Sequence, residues 1–421
     1  MRNSGVLAVG VLLSVFSVAC GAAKSSAPEA SSPSPSGEGR GYAEGITAAP
    51  QAYPAQPGYA PATAAAPAAS AGIPGLPPPA PPPSSADSSP ASVAKSATSP
   101  SSSSPIAVLP TPAPEPRRLP QSGQLTAGIW DDNLNFDFFK PYASTFRAQN
   151  PGDLSMFAQQ EMETARDQAN SQARSGSAHG DLDVQLVLDT TGSMGDELSY
   201  LQSEFDSIAA RLKTKFPNVT PRWSLVVYRD KGDDYVTRDF DFTTDTNKFR
   251  TNLRAQSAGG GGDTPEAVVQ GLEAGARMNW RPAGSVAKVA FWVADAPAHP
   301  GEGKQLATVV RNLKAKGVHV YPIASSDTDD TAEYQMRSTA QLTGGRYVFL
   351  TNDSGVGNSH AEPHIPCYAV TRLDSAIIRA IDTELTGQRH EAPSEEVIRN
   401  VGQPDKTGKC KLASGALVAS F

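Results

Sequence analysis

Short apolar runs alternate with amphipathic segments over residues 183–385, and this alternation constrains the fold more than any other feature. The apolar runs are typical of buried strands, and one further segment alternates as an edge strand does. The predicted strands are 183–189, 223–228, 236–242, 286–294, 318–324 and 347–350. The predicted helices are 196–216, 247–255, 265–278, 304–316, 331–342 and 373–385. We therefore expect an α/β fold with a doubly wound, mostly parallel six-stranded sheet and helices on both faces.

Carboxylates and hydroxyls follow the predicted strands at the edge where such sheets bind ligands. The candidate residues are Asp189, Thr191, Ser193, Thr264 and Asp295. Their oxygens suit a hard divalent cation, because Mg²⁺ keeps several waters and needs only one or two carboxylates. Mn²⁺ and Ca²⁺ accept the same oxygens. We predict a bound divalent cation, Mg²⁺ first, with an open position that an acidic side chain of a protein partner completes.

Two alternatives apply to single residues of this set. Taken alone, Ser193 is more typical of a helix cap than of a metal ligand, and so is Asp263 or Thr264 before Pro265. Tyr228, Arg229 and Asp230 follow the second strand and are predicted to contact a ligand at the rim of the site. A cation at Arg229 would favour a carboxylate partner, whereas an ordinary surface ion pair is the alternative.

The five candidate ligands resemble the metal-ion-dependent adhesion site of von Willebrand factor type A domains. The first motif of that family is Asp-x-Ser-x-Ser, and the middle position here is Thr191, which keeps the hydroxyl. The resemblance covers residues 180–387 and implies a Rossmann-like α/β domain. It also implies that the three hydroxyls are ligands and that Asp189 and Asp295 hold the ion directly or through water.

Other chemistries fit less well. Asp189–Ser193 resembles the phosphorylation loop of aspartyl-phosphate enzymes, but Thr190 stands where that loop has Lys. His360, His364 and Cys367 form an alternative zinc set, although the intervening prolines exclude helical ligand spacing. The sequence shows no evident Ser-His-Asp or Cys-His pair, so we predict a protein that is not an enzyme, with a metal-dependent hydrolase as a remote alternative.

The amino terminus is predicted to be an export signal. Arg2 precedes Gly5–Ala19, an apolar run of 15 residues, which is shorter than a membrane span needs and typical of a signal peptide. Ser17-Val18-Ala19-Cys20 resembles the lipobox of bacterial lipoproteins, which implies cleavage after residue 19 and lipidation of Cys20. An ordinary small-residue cleavage site is the alternative.

Residues 20–120 are predicted to be a disordered linker. Between Gly21 and Pro120 there are 23 Pro, 18 Ser and 24 Ala, so the segment buries too little apolar surface to fold. A passive tether is favoured, and a cell-wall or partner-binding role is the alternative. A net charge of −7 without a Lys/Arg run excludes a strongly basic nucleic-acid binder.

The remaining segments are an extension over 121–179 and a tail over 388–421. In the extension, residues 125–130 and 136–139 are predicted to form either short strands or a docking segment, and residues 154–173 a polar helix. In an exported chain with a lipidated Cys20, Cys367 and Cys410 are the remaining pair and are predicted to form a disulfide.

The export signal and the lipidated Cys20 predict an outer-membrane lipoprotein of the cell envelope, on the periplasmic face or the cell surface. Its membrane attachment would be lipid alone. Its predicted function is adhesion or protein binding, with a metal-independent envelope scaffold as the alternative.

Overall fold

The computed structural model describes residues 124–152, 157–175, 179–262, 264–282, 284–355, 359–361 and 363–420. The predicted signal peptide, Cys20 and the Pro/Ser/Ala-rich linker lie outside these residues. Within the described part of the chain, no helix is both long enough and apolar enough to cross a membrane.

The described elements begin in the extension and continue into the tail. The strands are β1 (Thr126–Trp130), β2 (Asp181–Asp189), β3 (Pro221–Tyr228), β4 (Thr237–Thr243), β5 (Val286–Ala294), β6 (His319–Ala324), β7 (Tyr347–Thr351), β8 (Tyr368–Arg372), β9 (Arg399–Val401), β10 (Lys409–Lys411) and β11 (Leu417–Ala419). The helices are α1 (Phe136–Gln149), α2 (Gln159–Ser175), α3 (Gly195–Lys215), α4 (Thr246–Arg254), α5 (Val268–Arg277), α6 (Gly303–Ala315), α7 (Asp330–Thr343) and α8 (Leu373–Thr386).

The predicted α/β fold is confirmed, and its sheet is larger than expected. The strand order is β4-β3-β2-β5-β6-β7-β1-β8-β9. The strands β2, β3, β5, β6 and β7 are parallel, and β4 is the antiparallel edge strand. The extension contributes β1, which inserts antiparallel between β7 and β8. The six predicted strands are therefore all present, and β1, β8 and β9 extend the sheet on one side.

Helices cover both faces of this sheet, because its buried strands carry apolar side chains in both directions. Val187 of β2 packs into the cluster that α1, α2, α5, α6 and α7 cover. Its neighbours Leu186 and Leu188 pack into the cluster under α3, α4 and α8.

In β1, Gly128 lies opposite Phe349, and a Cβ on Gly128 would overlap the Phe349 ring. The close approach of β1 to β7 thus depends on glycine.

A buried ion pair fastens the extension to the rest of the domain. Arg337 of α7 is fully buried. It donates from Nε and Nη2 to the Asp132 carboxylate, at 3.0 and 2.8 Å. Its Nη1 donates to Glu333 at 2.9 Å. Burial raises the pKa of Asp132, and the Arg337 charge offsets only part of that effect. The residues after β1 are therefore part of the domain core.

The predicted disulfide between Cys367 and Cys410 is confirmed. It joins the start of β8 to β10, so it ties the tail to the sheet. Because the Cys367 sulfur is bonded to Cys410, it is not available as a zinc ligand. His364 instead contacts the Glu333 carboxylate through Nδ1 at 2.9 Å, and His360 contacts Asn352. The alternative of a zinc set formed by His360, His364 and Cys367 is therefore wrong.

Candidate metal centre at the carboxyl edge of the sheet

The sheet topology brings the two candidate aspartates to one edge. The strand β2 lies between β3 and β5, and Asp189 is its last residue. Ala294 ends β5, so Asp295 follows directly on the neighbouring strand. Parallel pairing aligns these carboxyl ends, as expected for the ligand edge of a doubly wound sheet.

Asp189 is held from one side by Thr191. Its Oδ1 accepts hydrogen bonds from the Thr191 backbone nitrogen at 2.9 Å and from the Thr191 hydroxyl at 2.7 Å. Both residues are 1% exposed. The Asp189 Oδ2 is buried and has no hydrogen bond of normal geometry to the described residues, although the Tyr228 hydroxyl is close enough to lower the pKa slightly. A buried carboxylate oxygen in this state suits a cation.

Ser193 continues the set towards Asp295. Its hydroxyl is 3.4 Å from the Thr191 hydroxyl and lies close enough to the Asp295 carboxylate to lower its pKa. Asp295 Oδ1 is likewise buried with no hydrogen-bond partner among the described residues. No side-chain cap is formed at the described start of α3, so the capping alternative for Ser193 does not apply. Four of the five candidate ligands are therefore in one connected group.

Thr264 stands apart from this group. It is exposed, and no hydrogen bond among the described residues joins its hydroxyl to the other four. The helix α5 begins only at Val268, so Thr264 does not cap it either. The hydroxyl lies beside a groove of about 410 Å³ that Pro265, Pro297 and Pro300 also line. Thr264 is therefore the candidate ligand that the contacts of the described residues do not join to the other four.

The glycine run before Thr264 packs closely against the centre. Gly260 and Gly261 have φ values of 77° and 68°, a left-handed region that favours glycine. The Gly260 carbonyl accepts a hydrogen bond from the Gly192 nitrogen at 3.2 Å. A Cβ on Gly261 would lie 3.1 Å from the Thr191 Cβ. The run therefore packs directly beside the candidate ligands.

Unneutralised negative charge dominates the electrostatics. Burial and the charge of Asp295 raise the pKa of Asp189 to about 7. Burial also raises the pKa of Asp295. Each shift is the response of a carboxylate that lacks a positive partner. A cation would reverse both shifts, since a nearby positive charge favours the ionised form.

Two further carboxylates belong to this environment and were missed in the sequence. Burial, followed by the charges of Asp189, Asp230, Asp295 and Asp233, raises the pKa of Glu266 to about 9. Burial also raises the pKa of Glu197, whose Oε1 accepts from the Ser326 hydroxyl at 2.9 Å. In the sequence, Glu266 was marked only by its nearness to Thr264, and Glu197 only by its place four residues after Ser193.

Within the described residues, no group of three or more His, Cys, Asp or Glu side chains is arranged to hold a metal ion.

The predicted rim residues lie mostly behind the centre. Tyr228 is fully buried, and its hydroxyl accepts from Trp292 Nε1 at 3.0 Å. Arg229 is also buried, because its guanidinium donates to the carbonyls of Thr190 and Ser257, at 3.1 and 2.8 Å. These contacts hold the loop that carries Asp189, so the structure corrects the expected ligand contact of both residues.

Asp230 differs from the other two rim candidates. Its Oδ1 lies 2.5 Å from His299 Nε2, and the pair stands beside the proline-lined groove that Thr264 borders, since His299 lines it. Asp230 is 9% exposed. Its carboxylate also contributes to the raised pKa of Glu266, which places its charge next to the centre.

Comparisons with known proteins find similarity in the region that carries this centre. Residues 183–358 match the family model of the von Willebrand factor A domain. The chain is 27% identical over 187 residues to a putative ariadne-like RING finger protein of Acanthamoeba polyphaga mimivirus, covering 40% of this chain and 18% of that protein. It is 30% identical over 129 residues to the alpha-protein kinase vwkA of Dictyostelium discoideum, covering 30% and 20% respectively. The chain spans about a fifth of the length of these curated relatives.

Solved structures with distant similarity also exist. The conserved hypothetical protein BatB from Bacteroides thetaiotaomicron is 14% identical, covers 48% of this chain and 98% of that chain, and has a TM-score of 0.33. The pilus adhesin SpaC from Lactobacillus rhamnosus GG, in its open conformation, is 12% identical, covers 39% and 26%, and has a TM-score of 0.30. The family match covers residues 183–358, so the similarity to a von Willebrand factor A domain concerns the part of the chain that runs from β2 to β7.

Proposed function

We propose that the von Willebrand factor A domain binds a divalent cation, Mg²⁺ first, and uses it to bind an acidic side chain of a protein partner. The observation that carries the proposal is the pair of buried oxygens, Asp189 Oδ2 and Asp295 Oδ1, to which the described residues offer no hydrogen bond of normal geometry. Buried carboxylates without a positive partner are costly, and a hard cation is the partner that such oxygens prefer.

Each residue has a separate part in this mechanism. Asp189 and Asp295 supply the negative charge, and Thr191 and Ser193 supply neutral oxygens. Thr191 also orients Asp189 through two hydrogen bonds to Oδ1. Oδ2 is thereby left available for the cation. Thr264 is the fifth proposed ligand, and its hydroxyl would join the other four when the cation binds. When bound, the cation supplies positive charge and a coordination position that a carboxylate from outside can fill.

The proposal assigns binding, not catalysis. The raised pKa values of Glu197 and Glu266 favour a bound cation near these carboxylates. A buried carboxylate does not by itself indicate a catalytic reaction. Turnover of a phosphoester or peptide that disappears in the Asp189→Asn variant would overturn this assignment and favour a metal-dependent hydrolase.

Partner capture tests the proposal. The full-length chain is immobilised and exposed to envelope extract of its source organism. Capture is expected to fall at least about tenfold with EDTA, to return with added Mg²⁺, and to be absent with Asp189→Asn. Amidation of the carboxylates in the extract is expected to abolish capture as well. An exposed variant near the centre, Asp196→Asn, serves as the control and should capture as the wild type does. Capture that survives chelator and Asp189→Asn would instead support a metal-independent envelope scaffold.

We further propose that the domain is displayed in the cell envelope by a lipid on Cys20, at the end of the Pro/Ser/Ala-rich linker. The support is the lipobox-like sequence before Cys20 and the composition of residues 20–120. A linker of this length would average roughly 55 Å between its ends as a flexible coil. This reach would carry the domain well clear of an outer-membrane surface, on its periplasmic or its external face.

The Cys20→Ser variant tests the anchor. Wild-type protein is expected to partition into the detergent phase of a cell extract, and the variant into the aqueous phase, because the lipid is the proposed attachment. Equal partitioning of the two proteins would contradict lipidation at this residue.

A further inference from the structure

The amino edge of the sheet, opposite the metal centre, carries a second feature that the proposed function does not use. A cavity of about 370 Å³ opens there between the starts of β5, β6 and β7 and the ends of α6 and α8. That volume lies at the lower end of the range of small-molecule sites. The two edges are separated by roughly 25 Å, the length of β5.

The walls of this cavity are strongly basic in a chain whose net charge is −7. Five lysine and arginine side chains line it: Lys288, Lys314, Lys316, Arg346 and Arg389. The carboxylates in its lining are those of Asp131 and Glu384, and the histidines are His179 and His319. With neutral histidines the lining keeps a net formal charge of three, which favours an anionic occupant.

Both carboxylates already have partners. Asp131 Oδ2 is shared by Arg389 Nε at 2.8 Å and Arg346 Nε at 3.3 Å. Glu384 accepts from the Tyr321 hydroxyl at 2.5 Å and contacts His319 Nδ1 at 2.6 Å. Asp131 therefore serves two guanidinium groups, and Glu384 is held by Tyr321 and His319.

The carboxylates that act on the charges of Lys288 and Lys314 are Asp183 and Glu161, and each is already paired with an arginine outside the cavity lining. Lys288 is 5% exposed, and its Nζ donates to the Lys316 carbonyl at 2.7 Å. Burial lowers the pKa of Lys288 and the pKa of Lys314. A buried ammonium that faces a carbonyl in place of a carboxylate retains capacity to bind an anion.

We propose that this cavity binds a small molecule through a phosphate group. A phosphate dianion has the charge that the lining lacks and several acceptor oxygens for lysine and arginine donors. The remaining volume holds the organic part of a phosphate ester. The site is independent of the divalent cation, since it lies at the other end of the strands.

Inorganic phosphate is the probe for this proposal. It is titrated into the full chain by calorimetry, with EDTA present and with chloride replaced to hold the ionic strength constant. Saturable binding is expected, accompanied by a higher melting temperature. The double variant Lys314→Gln/Lys316→Gln removes two lining charges without removing a buried side chain, and it is expected to weaken binding at least about tenfold.

The matched control is Lys248→Gln/Lys304→Gln, which removes two exposed lysines that lie outside the cavity. This control and Asp189→Asn are both expected to bind phosphate as the wild type does. The proposal is overturned by a phosphate response no larger than that of chloride, or by equal loss of binding in the two double variants.

Discussion

Saturating Mg²⁺ is expected to stabilise the wild-type protein and to leave the Asp189→Asn variant unchanged. A ligand at about 100 times its dissociation constant raises the free energy of unfolding by about 2.7 kcal/mol. Asparagine keeps an oxygen for the two hydrogen bonds from Thr191 but removes the charge that the ion needs. Chemical denaturation of both proteins at pH 8, with Mg²⁺ and with EDTA, measures the difference.

The same denaturation experiment also measures how the stability of Asp189→Asn compares with that of the wild type in EDTA. The raised pKa of Asp189, about 7 in the folded protein, means that ionisation of this group above pH 7 opposes folding. In EDTA at pH 8, Asp189→Asn should therefore be at least as stable as the wild type. The exposed Asp196→Asn variant should keep the full response to Mg²⁺. A variant that is less stable in EDTA, yet still stabilised by Mg²⁺, would contradict the account.

Arg337→Met is expected to lower the free energy of unfolding by about 3–5 kcal/mol, because it leaves buried carboxylates without their cation. Asp132 and Glu333 both lose a hydrogen-bonded partner. The guanidinium also lies over the Tyr142 ring, 4.2 Å from its centroid. Urea denaturation of the wild type and the variant at neutral pH gives the loss directly.

The control for this change is Arg277→Met, which removes an exposed pair with Glu273 at 3.6 Å. Such a helical pair contributes about 0.3–0.5 kcal/mol. A similar small loss for Arg337→Met would mean that the ion pair does not fasten β1 and the residues after it to α7.

The spacing of apolar residues predicted most of the strands and helices. Most of the predicted strands pair with a strand that is close to them in the chain. The predicted helix over 196–216 corresponds to α3 (Gly195–Lys215), and the strand over 286–294 to β5 (Val286–Ala294). Residues 125–130 were predicted to form either a short strand or a docking segment, and they contain the strand β1. It is buried on both sides and pairs with β7, which lies more than 200 residues away in the chain, and no periodicity reports such a partner.

In the candidate centre, too, contacts between residues close in the chain could be predicted, and contacts between distant residues could not. The spacing of Asp189, Thr191 and Ser193 was sufficient to predict their connection, since all three follow one strand. The burial of Arg229 was not predictable, because the carbonyls that it satisfies belong to Thr190 and to the distant Ser257. Glu266 was missed for a similar reason, since a lone glutamate beside a proline carries no signal until the sheet places it near Asp189.

The central claim is that one divalent cation binds at the carboxyl edge of the sheet. Titration with Mn²⁺, followed by electron paramagnetic resonance, tests it most directly, because the sharp spectrum of the free aqua ion is lost on binding. The account predicts a single saturable site in the wild type, competition by Mg²⁺, and no such site in Asp189→Asn. Absence of saturable binding in the wild type, or equal binding by Asp189→Asn, would contradict it.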